Sequence, residues 1–446
     1  MKSSEFLFEI PFGRRIIAGS FDGGSISSDA GVVLLRQVER ELGLVKRLAS
    51  CVKDSRDPDK VKQRIEDMLR QRVFAIAQGY EDCNDHDSLR SDPMFKLSVD
   101  REPISGKDLA SQPTLSRLEN SVGKRELWRM GEVLVGQFIQ GHERVKPKRI
   151  VIDSDATDDP THGQQEFEFF HGFYDCHCYL PLLIFATADE GEQQLLASVL
   201  RRGNVHAGHR LVSILRRIVP RLKEAFPEAE IVLRGDAGMA LPEVYDFCES
   251  SGVSYLISLP KNSRLLSIAE EYLRDAESIY EETGEKVRLF GEFTYAAESW
   301  PHERRVVVKA EVAGKGENPR FVVTNITGGD AEDIYEEYID RGDVENRIKE
   351  LKDGLLSGRT SCHRFLANQF RLLLHSAALI LMQALRRLLA GTEMATAQAG
   401  TLRAKLLKVG VRVRETTRRI RLMMPSSYPY VAFWEVALSR LSLARA

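Results

Sequence analysis

The chain has 446 residues, of which 43 % are hydrophobic and 29 % charged, a composition typical of soluble globular proteins. Its length predicts two or more domains. The longest strongly apolar uncharged run, Leu372–Leu385, has 14 residues, which is too short for a bilayer span of about 20 residues and predicts a buried helix. The net charge of −2 is uneven, because residues 401–446 carry ten Lys/Arg against two Asp/Glu. A basic segment of this kind predicts contact with a polyanion.

Residues 1–145 are predicted to form a helical N-terminal domain. Ser28-Asp29 can cap a helix that begins with the apolar run from Val32 to Leu42. Further amphipathic patterns cover residues 61–76 and 114–138. The charged stretch 141–148 then reads as a linker to the next domain.

Residues 146–260 alternate between strands and helices and predict a mixed sheet in an α/β fold. The predicted strands are apolar runs, and the predicted helices have amphipathic spacing. In chain order these elements are strands 149–153, 179–186 and 195–200, helix 208–225, strand 231–234, helix 241–250 and strand 254–258.

The second half of the chain is predicted to contain an insertion in this core. Residues 261–325 combine helical and β character, and we expect them to be a β-rich insertion. Residues 326–400 contain the second part of the core, with a helix over 338–352 and a long, largely buried helix over 364–389. Residues 401–446 form the basic C-terminal region.

Three acidic residues occupy positions where a catalytic site would need them. Asp155 follows the first strand of the core, Asp236 follows a later strand, and Glu345 lies in the 338–352 helix. Ligand sites of open α/β sheets gather at the carboxyl ends of strands. Three converging carboxylates repel one another unless a divalent cation neutralises them. Asp153 is the alternative first acid, since it lies two residues before Asp155 on the same side of the strand.

The 338–352 helix carries a second pattern. Tyr338, Arg341, Glu345 and Lys352 are separated by three, four and seven residues, which predicts that they lie within an arc of roughly 60° on one helical face. A carboxylate flanked by two cations and a phenol suits a metal-bound phosphate backbone.

These motifs resemble the DDE transposases of bacterial insertion sequences, in the branch with a Tyr-Arg-Glu-Lys signature. Tyr338, Arg341, Glu345 and Lys352 match that signature without a gap. The Asp-x-Thr motif is similar to Asp155 with Thr157, and the strand-Gly-Asp-x-Gly motif to residues 235–238. Other segments that look familial are Phe21-Asp-Gly-Gly, Ser28-Asp-Ala-Gly31, Gly79-Tyr-Glu-Asp, residues 112–120 and residues 158–164.

The resemblance implies an RNase H-like mixed-sheet core interrupted by the insertion. It implies a Mg²⁺-dependent enzyme, with two ions and Mn²⁺ as a substitute, that cuts transposon ends and joins the 3′ hydroxyls to target DNA. Asp155, Asp236 and Glu345 would be the catalytic metal ligands. The residues expected to contact DNA are Tyr338, Arg341 and Lys352 near the scissile phosphate and Trp300 against an exposed base.

The resemblance also implies the partners of the protein. These are terminal inverted repeats and target DNA, a second copy of the chain in a synaptic dimer, and a cytoplasmic, nucleoid-associated location without a membrane. The arginines at 412, 414, 418, 419 and 421 predict backbone contact, although their spacing makes no single helical stripe. The helices of the N-terminal domain are the candidates for sequence-specific end binding. The alternatives are an RNase H-like nuclease that does not join strands and a domesticated DNA-binding protein.

Overall fold

The computed structural model describes residues 5–12 and 14–443. The chain divides into two compact units. Unit 1 contains the residues up to Val122, Gly354–Leu356 and those from Ala377 onward, and unit 2 contains Gly123–Asp353 and Ser357–Ser376. The predicted N-terminal domain ends near residue 145, whereas the helix that starts at Lys124 lies in unit 2.

The elements before residue 142 are mostly helical. They are β1 (Phe6–Phe12), β2 (Arg15–Gly19), β3 (Ile26–Ser27), α1 (Val32–Leu42), α2 (Leu44–Cys51), α3 (Ile65–Gln78), α4 (His86–Leu89), α5 (Pro93–Ser98), α6 (Gln112–Ser121) and α7 (Lys124–Gly141). The pattern over 114–138 thus corresponds to two helices, which are separated at Val122-Gly123 because glycine lowers helix propensity.

The elements between residues 149 and 259 follow the predicted α/β order. They are β4 (Arg149–Ala156), β5 (Asp159–Pro160), β6 (Phe169–His171), β7 (Cys176–Tyr179), β8 (Leu182–Ala188), β9 (Gln194–Val199), α8 (Leu211–Ala225), β10 (Glu230–Gly235), α9 (Pro242–Ser251) and β11 (Ser254–Leu259). The run predicted as one strand from Tyr179 is interrupted at Pro181, which cannot donate a ladder hydrogen bond.

The remaining elements run to the end of the described chain. They are α10 (Ser263–Thr283), β12 (Val287–Tyr295), β13 (Arg304–Ala313), β14 (Gly316–Glu317), β15 (Arg320–Thr324), α11 (Ala331–Ile339), α12 (Gly342–Lys349), α13 (Phe365–Arg387), α14 (Ala399–Leu402), β16 (Val411–Thr416), β17 (Arg419–Met423) and α15 (Val431–Leu443).

Unit 2 is organised around a nine-stranded mixed sheet. Its strands follow the order β12-β13-β15-β11-β10-β4-β8-β9, with β14 paired to β13. Strand β10 is parallel to both β4 and β11, and the other neighbours are antiparallel. The carboxyl ends of β4 and β10 therefore meet at one edge of the sheet, which is where ligand sites gather in such folds.

Both faces of this sheet are buried. Successive side chains of a strand point to opposite faces, and the central strands have apolar residues at consecutive positions. On one face Ile150, Ile152, Ile231 and Leu233 pack in a core with residues of α7, α8, α9 and α10. On the other face Val151, Val232 and Leu256 pack with Ile334 and Tyr335 of α11. The continuous apolar runs of the sequence reflect this double burial.

The segment 261–325, predicted as a β-rich insertion, contains both a helix and strands of the main sheet. It opens with the 21-residue helix α10, and its strands β12, β13 and β15 extend the main sheet from the edge of β11. The physical reason is that β15 offers a row of buried Phe and Val side chains that continue the core beside β11.

The predicted continuous helix over 338–352 is also corrected. Helix α11 ends at Ile339, α12 starts at Gly342, and residues Glu350–Gly354 form a π-helical turn. Hydrogen bonds to the residue three positions back, such as Arg341 N to Tyr338 O at 3.2 Å, tighten the junction, where Gly342 weakens helix propensity. The four signature residues are therefore not on one straight helix.

Unit 1 joins segments from both ends of the sequence. Lys408 donates to Asp29 at 2.7 Å, and its ammonium lies 3.7 Å from the ring centre of Tyr80. A Cβ at Gly31 would lie 2.3 Å from the Leu406 oxygen, so only glycine fits there. The motifs Ser28-Asp-Ala-Gly31 and Gly79-Tyr-Glu-Asp thus contribute to packing within this unit.

One helix among the described residues, α13, is long and apolar enough to cross a membrane by composition, and 83 % of its apolar window is buried in the protein. The prediction of a long buried helix here is confirmed.

Candidate active site

Two of the predicted acids lie at the same edge of the unit 2 sheet. Asp155 is the second-to-last residue of β4, and Asp236 directly follows β10. Because β4 and β10 are parallel neighbours with Gly235 paired to Ser154, their carboxyl ends are adjacent. The structure therefore brings these two residues to one edge of the sheet.

Asp155 is held in an environment that favours its protonated form. Burial raises its pKa to about 6, the neighbouring Asp236 charge adds to that increase, and Arg341 opposes it. Arg341 Nη1 lies 3.0 Å from Asp155 Oδ2, with both side chains 13 % exposed. The guanidinium thus supplies the positive charge that a pair of neighbouring carboxylates requires.

Asp236 begins a tight turn. Its Oδ1 accepts a hydrogen bond from the Gly238 amide at 3.0 Å. A Cβ at Gly238 would lie 2.6 Å from the Cβ of Ala207, so a glycine is needed for the close approach of these two loops. The Gly-Asp-x-Gly sequence is therefore explained locally by an Asx turn packed against another loop.

Asp153 is engaged differently from Asp155, although the two residues are on one strand. Arg234 binds it with both Nε and Nη2, at 2.8 and 2.9 Å, and Gln193 donates to it at 2.7 Å. Its side chain is fully buried. A carboxylate saturated by a bidentate arginine and an amide is a structural ion pair.

Arg234 is a residue whose importance the sequence reading missed. Besides binding Asp153, its Nη1 donates to the carbonyl of Glu337 at 2.8 Å, which fixes the end of α11 against the sheet. Tyr338 comes next in the chain and packs near the apolar cluster of Tyr335. A charged residue ending the buried strand Ile231–Leu233 was the available signal, since unpaired buried arginines are rare.

Lys352 is turned toward the segment that follows β4. Its ammonium donates to Asp158 Oδ1 at 2.7 Å and to Thr157 Oγ1 at 3.1 Å. Asp158 is thus paired with a cation next to β4. The neighbouring Asp159 is a buried residue of β5, and burial raises its pKa well above the usual value.

Glu345 does not face the two aspartates closely. Its side chain is 71 % exposed, and its ion-pair contact is with Arg341 Nη2 at 3.9 Å. Within residues 5–12 and 14–443 no three His, Cys, Asp or Glu side chains are grouped closely enough to hold a metal ion. Arg341 thus lies between Asp155 on one side and Glu345 on the other.

The donor set nevertheless has the chemistry that a divalent cation requires. Asp155 and Asp236 offer hard carboxylate oxygens, the type that Mg²⁺ prefers, and the Asp236 charge adds to the effect of burial in raising the pKa of Asp155. A cation beside them would relieve that repulsion. These two aspartates therefore fit a metal, whereas Glu345 would have to turn inward to join them.

Trp300 is packed in an aromatic cluster. Its ring contacts Tyr245 and Tyr295 edge-on, at centroid distances of 5.2 and 5.5 Å, and the Arg304 guanidinium lies 5.2 Å from its centre. The side chain of Trp300 is half-buried, and its role in stacking a base stays a prediction.

The basic C-terminal segment forms a β-hairpin in unit 1, which we call the arginine hairpin (residues 411–423). Cross-strand pairing sets Arg412 opposite Met423, Arg414 opposite Arg421 and Thr416 opposite Arg419. Opposite residues share a face, so the four arginines of the strands line one exposed face, with Arg418 in the turn. Val411 and Val413 are buried on the other face.

Comparison with known proteins identifies one family. The model of the family described as "Transposase DDE domain group 1" matches residues 9–446 of the chain. No curated protein matches the chain.

Proposed function

The chain belongs to the DDE-domain transposases, and from this premise we propose that it cleaves insertion-sequence ends and joins their 3′ hydroxyls to target DNA. The observation that carries the proposal is the pair Asp155 and Asp236 at the carboxyl ends of adjacent parallel strands. Burial raises the pKa of Asp155 to about 6, and the nearby Asp236 charge adds a smaller contribution. Such a pair is suited to chemistry that proceeds through divalent metal ions.

The proposed core is RNase H-like. In support, β4 is central, β8 and β9 follow it as antiparallel neighbours on one side, and β10 and β11 follow as parallel strands on the other. In this proposal the strands β12, β13 and β15 are an extension between the second and third acids.

Asp155 and Asp236 would hold Mg²⁺, with Mn²⁺ as a substitute, and Glu345 would complete the set as the third carboxylate. When bound, two ions would stabilise the attacking and leaving oxygens of an in-line phosphodiester exchange. Arg341 would remain paired with Asp155 and present its remaining donors to a phosphate oxygen, a geometry that guanidinium groups favour. We prefer Asp155 to Asp153 because the latter's oxygens are occupied by Arg234 and Gln193.

The signature residues would contact the DNA backbone. Lys352 is held by Asp158 and Thr157 and could exchange these partners for a phosphate. Tyr338 would offer its hydroxyl from a ring packed at the sheet surface. The arginine hairpin, including Arg418 and Arg419, would bind phosphates outside the reaction centre, and such contacts carry affinity without sequence information.

The test is a reaction of the full-length protein with DNA that carries the terminal inverted repeats, in Mg²⁺. Joined products support transposition, cuts without joining support a nuclease, and gel retardation without cuts supports a DNA-binding protein. Asp236→Ala is expected to abolish cleavage and leave end binding nearly intact. Asp275→Asn, which changes an exposed aspartate of α10, is the matched control.

We also propose that two copies act together on paired ends. Chemical cross-linking of the protein with and without end DNA tests this proposal. If the complexes that yield joined products contained only one copy of the chain, the proposal would be contradicted.

A further inference from the structure

We propose that residues 169–179, which we call the aromatic hairpin, form a stacking surface for unpaired bases of a DNA strand whose backbone reaches Asp155 and Asp236. This inference rests on the proposed function and adds to it the conformation of the substrate. The hairpin consists of β6 and β7 with the turn between them.

The hairpin exposes large aromatic rings to an unusual degree. Phe173 is 83 % exposed and Phe170 is 52 % exposed, and Phe167 just before the hairpin is 45 % exposed. His177 lies opposite Phe170 and contacts its ring edge-on at 5.8 Å. Grouped exposed rings on one short element indicate an interaction surface rather than scattered surface apolarity.

The backbone just before these rings is held in a costly conformation. Phe167 has φ of +63°, a region that bulky side chains rarely adopt. Tyr179 donates its hydroxyl to the Glu166 carbonyl at 2.8 Å, which anchors the start of the segment. Retained strain of this kind points to a functional constraint on the shape of the segment.

The hairpin is continuous with the candidate active site. Tyr174, in the turn, donates its hydroxyl to the carbonyl of Ala156 at 3.4 Å, and Ala156 is the residue after Asp155. Burial together with the charges of Asp158, Asp155 and Asp236 raises the pKa of Tyr174 to about 12. A strand with its phosphate at the carboxylates would therefore have neighbouring nucleotides within reach of the rings.

A basic loop (residues 201–210) lies against the same hairpin. A Cβ at Gly203 would meet the carbonyl oxygens of Cys178 and Phe169 at 2.1 and 2.5 Å, so the two segments are in direct contact. Buried Arg201 fixes the loop by donating to the carbonyls of Ala207 and His209 at 2.6 and 2.8 Å.

This basic loop supplies positive charge beside the rings. The guanidinium of the exposed Arg202 lies 4.4 Å from the ring centre of Phe167, and Arg210 is also exposed. Cations next to aromatic rings are the combination used by surfaces that bind single-stranded nucleic acid.

The charges favour bases rather than phosphates on the hairpin itself. Asp175 in the turn and Glu168 just before the hairpin would repel phosphates, whereas the π-faces of bases carry no net charge. The phosphates would instead follow Arg202 and Arg210. Trp300 is half-buried and contacts Tyr245 and Tyr295, whereas Phe170 and Phe173 of the hairpin are exposed.

The test measures fluorescence anisotropy of a labelled 20-nucleotide single strand and of its blunt duplex, in EDTA so that neither is cut. We expect the wild-type protein to bind the single strand more tightly. Phe173→Ala should weaken single-strand binding about tenfold, the loss typical of one stacked base, and change duplex binding less than twofold. Ile279→Ala, at an exposed residue of α10, should change neither.

Two further variants separate stacking from plain apolar contact. Phe173→Trp should retain single-strand affinity, and Phe173→Leu should behave like Phe173→Ala. Wild-type preference for duplex, full affinity in Phe173→Ala, or full affinity in Phe173→Leu would each overturn the inference. Failure of the proposed function is seen separately, as absence of cutting and joining by the wild-type protein in Mg²⁺.

Discussion

The carboxylate edge of unit 2 and the arginine hairpin of unit 1 manage charge in opposite ways. At the edge, Asp155 is 13 % exposed and forms an ion pair with Arg341. On the hairpin, Arg414 and Arg421 lie opposite each other on an exposed face, and within the described residues neither has an acidic partner. The carboxylate of Asp155 thus has a counter-charge within the protein. The arginines of the hairpin repel one another, and a bound polyanion would relieve that repulsion.

The largest expected effect is on activity at the carboxylate edge. Asp236→Ala should reduce DNA cleavage by about a thousandfold or more, because it removes a carboxylate on which the proposed metal chemistry depends. Cleavage of end DNA and gel retardation are measured in parallel. Equal losses in cutting and in binding would mean that Asp236 only maintains structure.

The second effect concerns stability and separates the two aspartates of β4. Asp153→Ala should lower the free energy of unfolding by about 3–5 kcal/mol, since it leaves the Arg234 guanidinium buried without its anion. Urea unfolding monitored by circular dichroism measures the change. A loss below about 1 kcal/mol would show that Arg234 finds another partner, such as the Glu337 carbonyl it already contacts.

Asp155→Asn should do the opposite in the metal-free protein. A carboxyl whose folded pKa is about 6, against an ordinary value of 3.8, favours folding fully only below about pH 4, and that contribution is lost as the pH rises through 6. The neutral amide avoids the loss and should stabilise the protein by about 2–3 kcal/mol at pH 7.

Thermal unfolding of both forms in EDTA between pH 4 and 8 measures this effect. The two melting temperatures should coincide near pH 4, diverge up to about pH 6 and then stay a constant distance apart. A difference that does not vary with pH would contradict the raised pKa.

The arginine hairpin should affect DNA binding rather than chemistry. Replacing both Arg414 and Arg421 with alanine should lower duplex affinity about tenfold at 0.1 M salt and reduce the salt dependence by about two counterions. Anisotropy titrations at several salt concentrations measure both quantities. Arg274→Ala, at an exposed position of α10, is the control, and an unchanged salt slope in the double variant would exclude phosphate contacts here.

The smallest effect is on the stability of the same hairpin. Arg414→Glu should raise the free energy of unfolding by about 0.2–1 kcal/mol, since it replaces a like-charge cross-strand pair with an opposite one. Its DNA affinity should fall below that of Arg414→Ala. A decrease in melting temperature would indicate that the arginines already interact favourably in the folded protein.

The sequence was most informative for the strands of the central sheet. β4, β10 and β11 are buried on both faces, so each appears as a continuous apolar run, and the strands and the aspartates near their ends could be located. By contrast, the helix over 338–352 is predicted from spacing alone, which takes no account of the low helix propensity of Gly342. The structure breaks this helix between Ile339 and Gly342 and has a π-helical turn at Glu350–Gly354.

Contacts between residues far apart in the chain could not be predicted from the sequence. Nothing local pairs Lys352 with Asp158 or Arg234 with Asp153, because the partners are 194 and 81 positions apart. The arginines of the basic C-terminal region form no helical stripe, because they recur at every second residue along the two strands of a β-hairpin. Trp300 has no local sequence mark that distinguishes a packed indole from an exposed one.

The joining of Asp29 to Lys408 and of Gly31 to Leu406 has a consequence for biosynthesis. The helices of unit 1 that precede Val122 are translated well before the residues around Lys408 that pack against them. These helices therefore cannot complete their packing until that later segment has been made, since pairings across nearly 380 positions form late. A prematurely terminated product would therefore lack the partner surfaces of its own N-terminal helices.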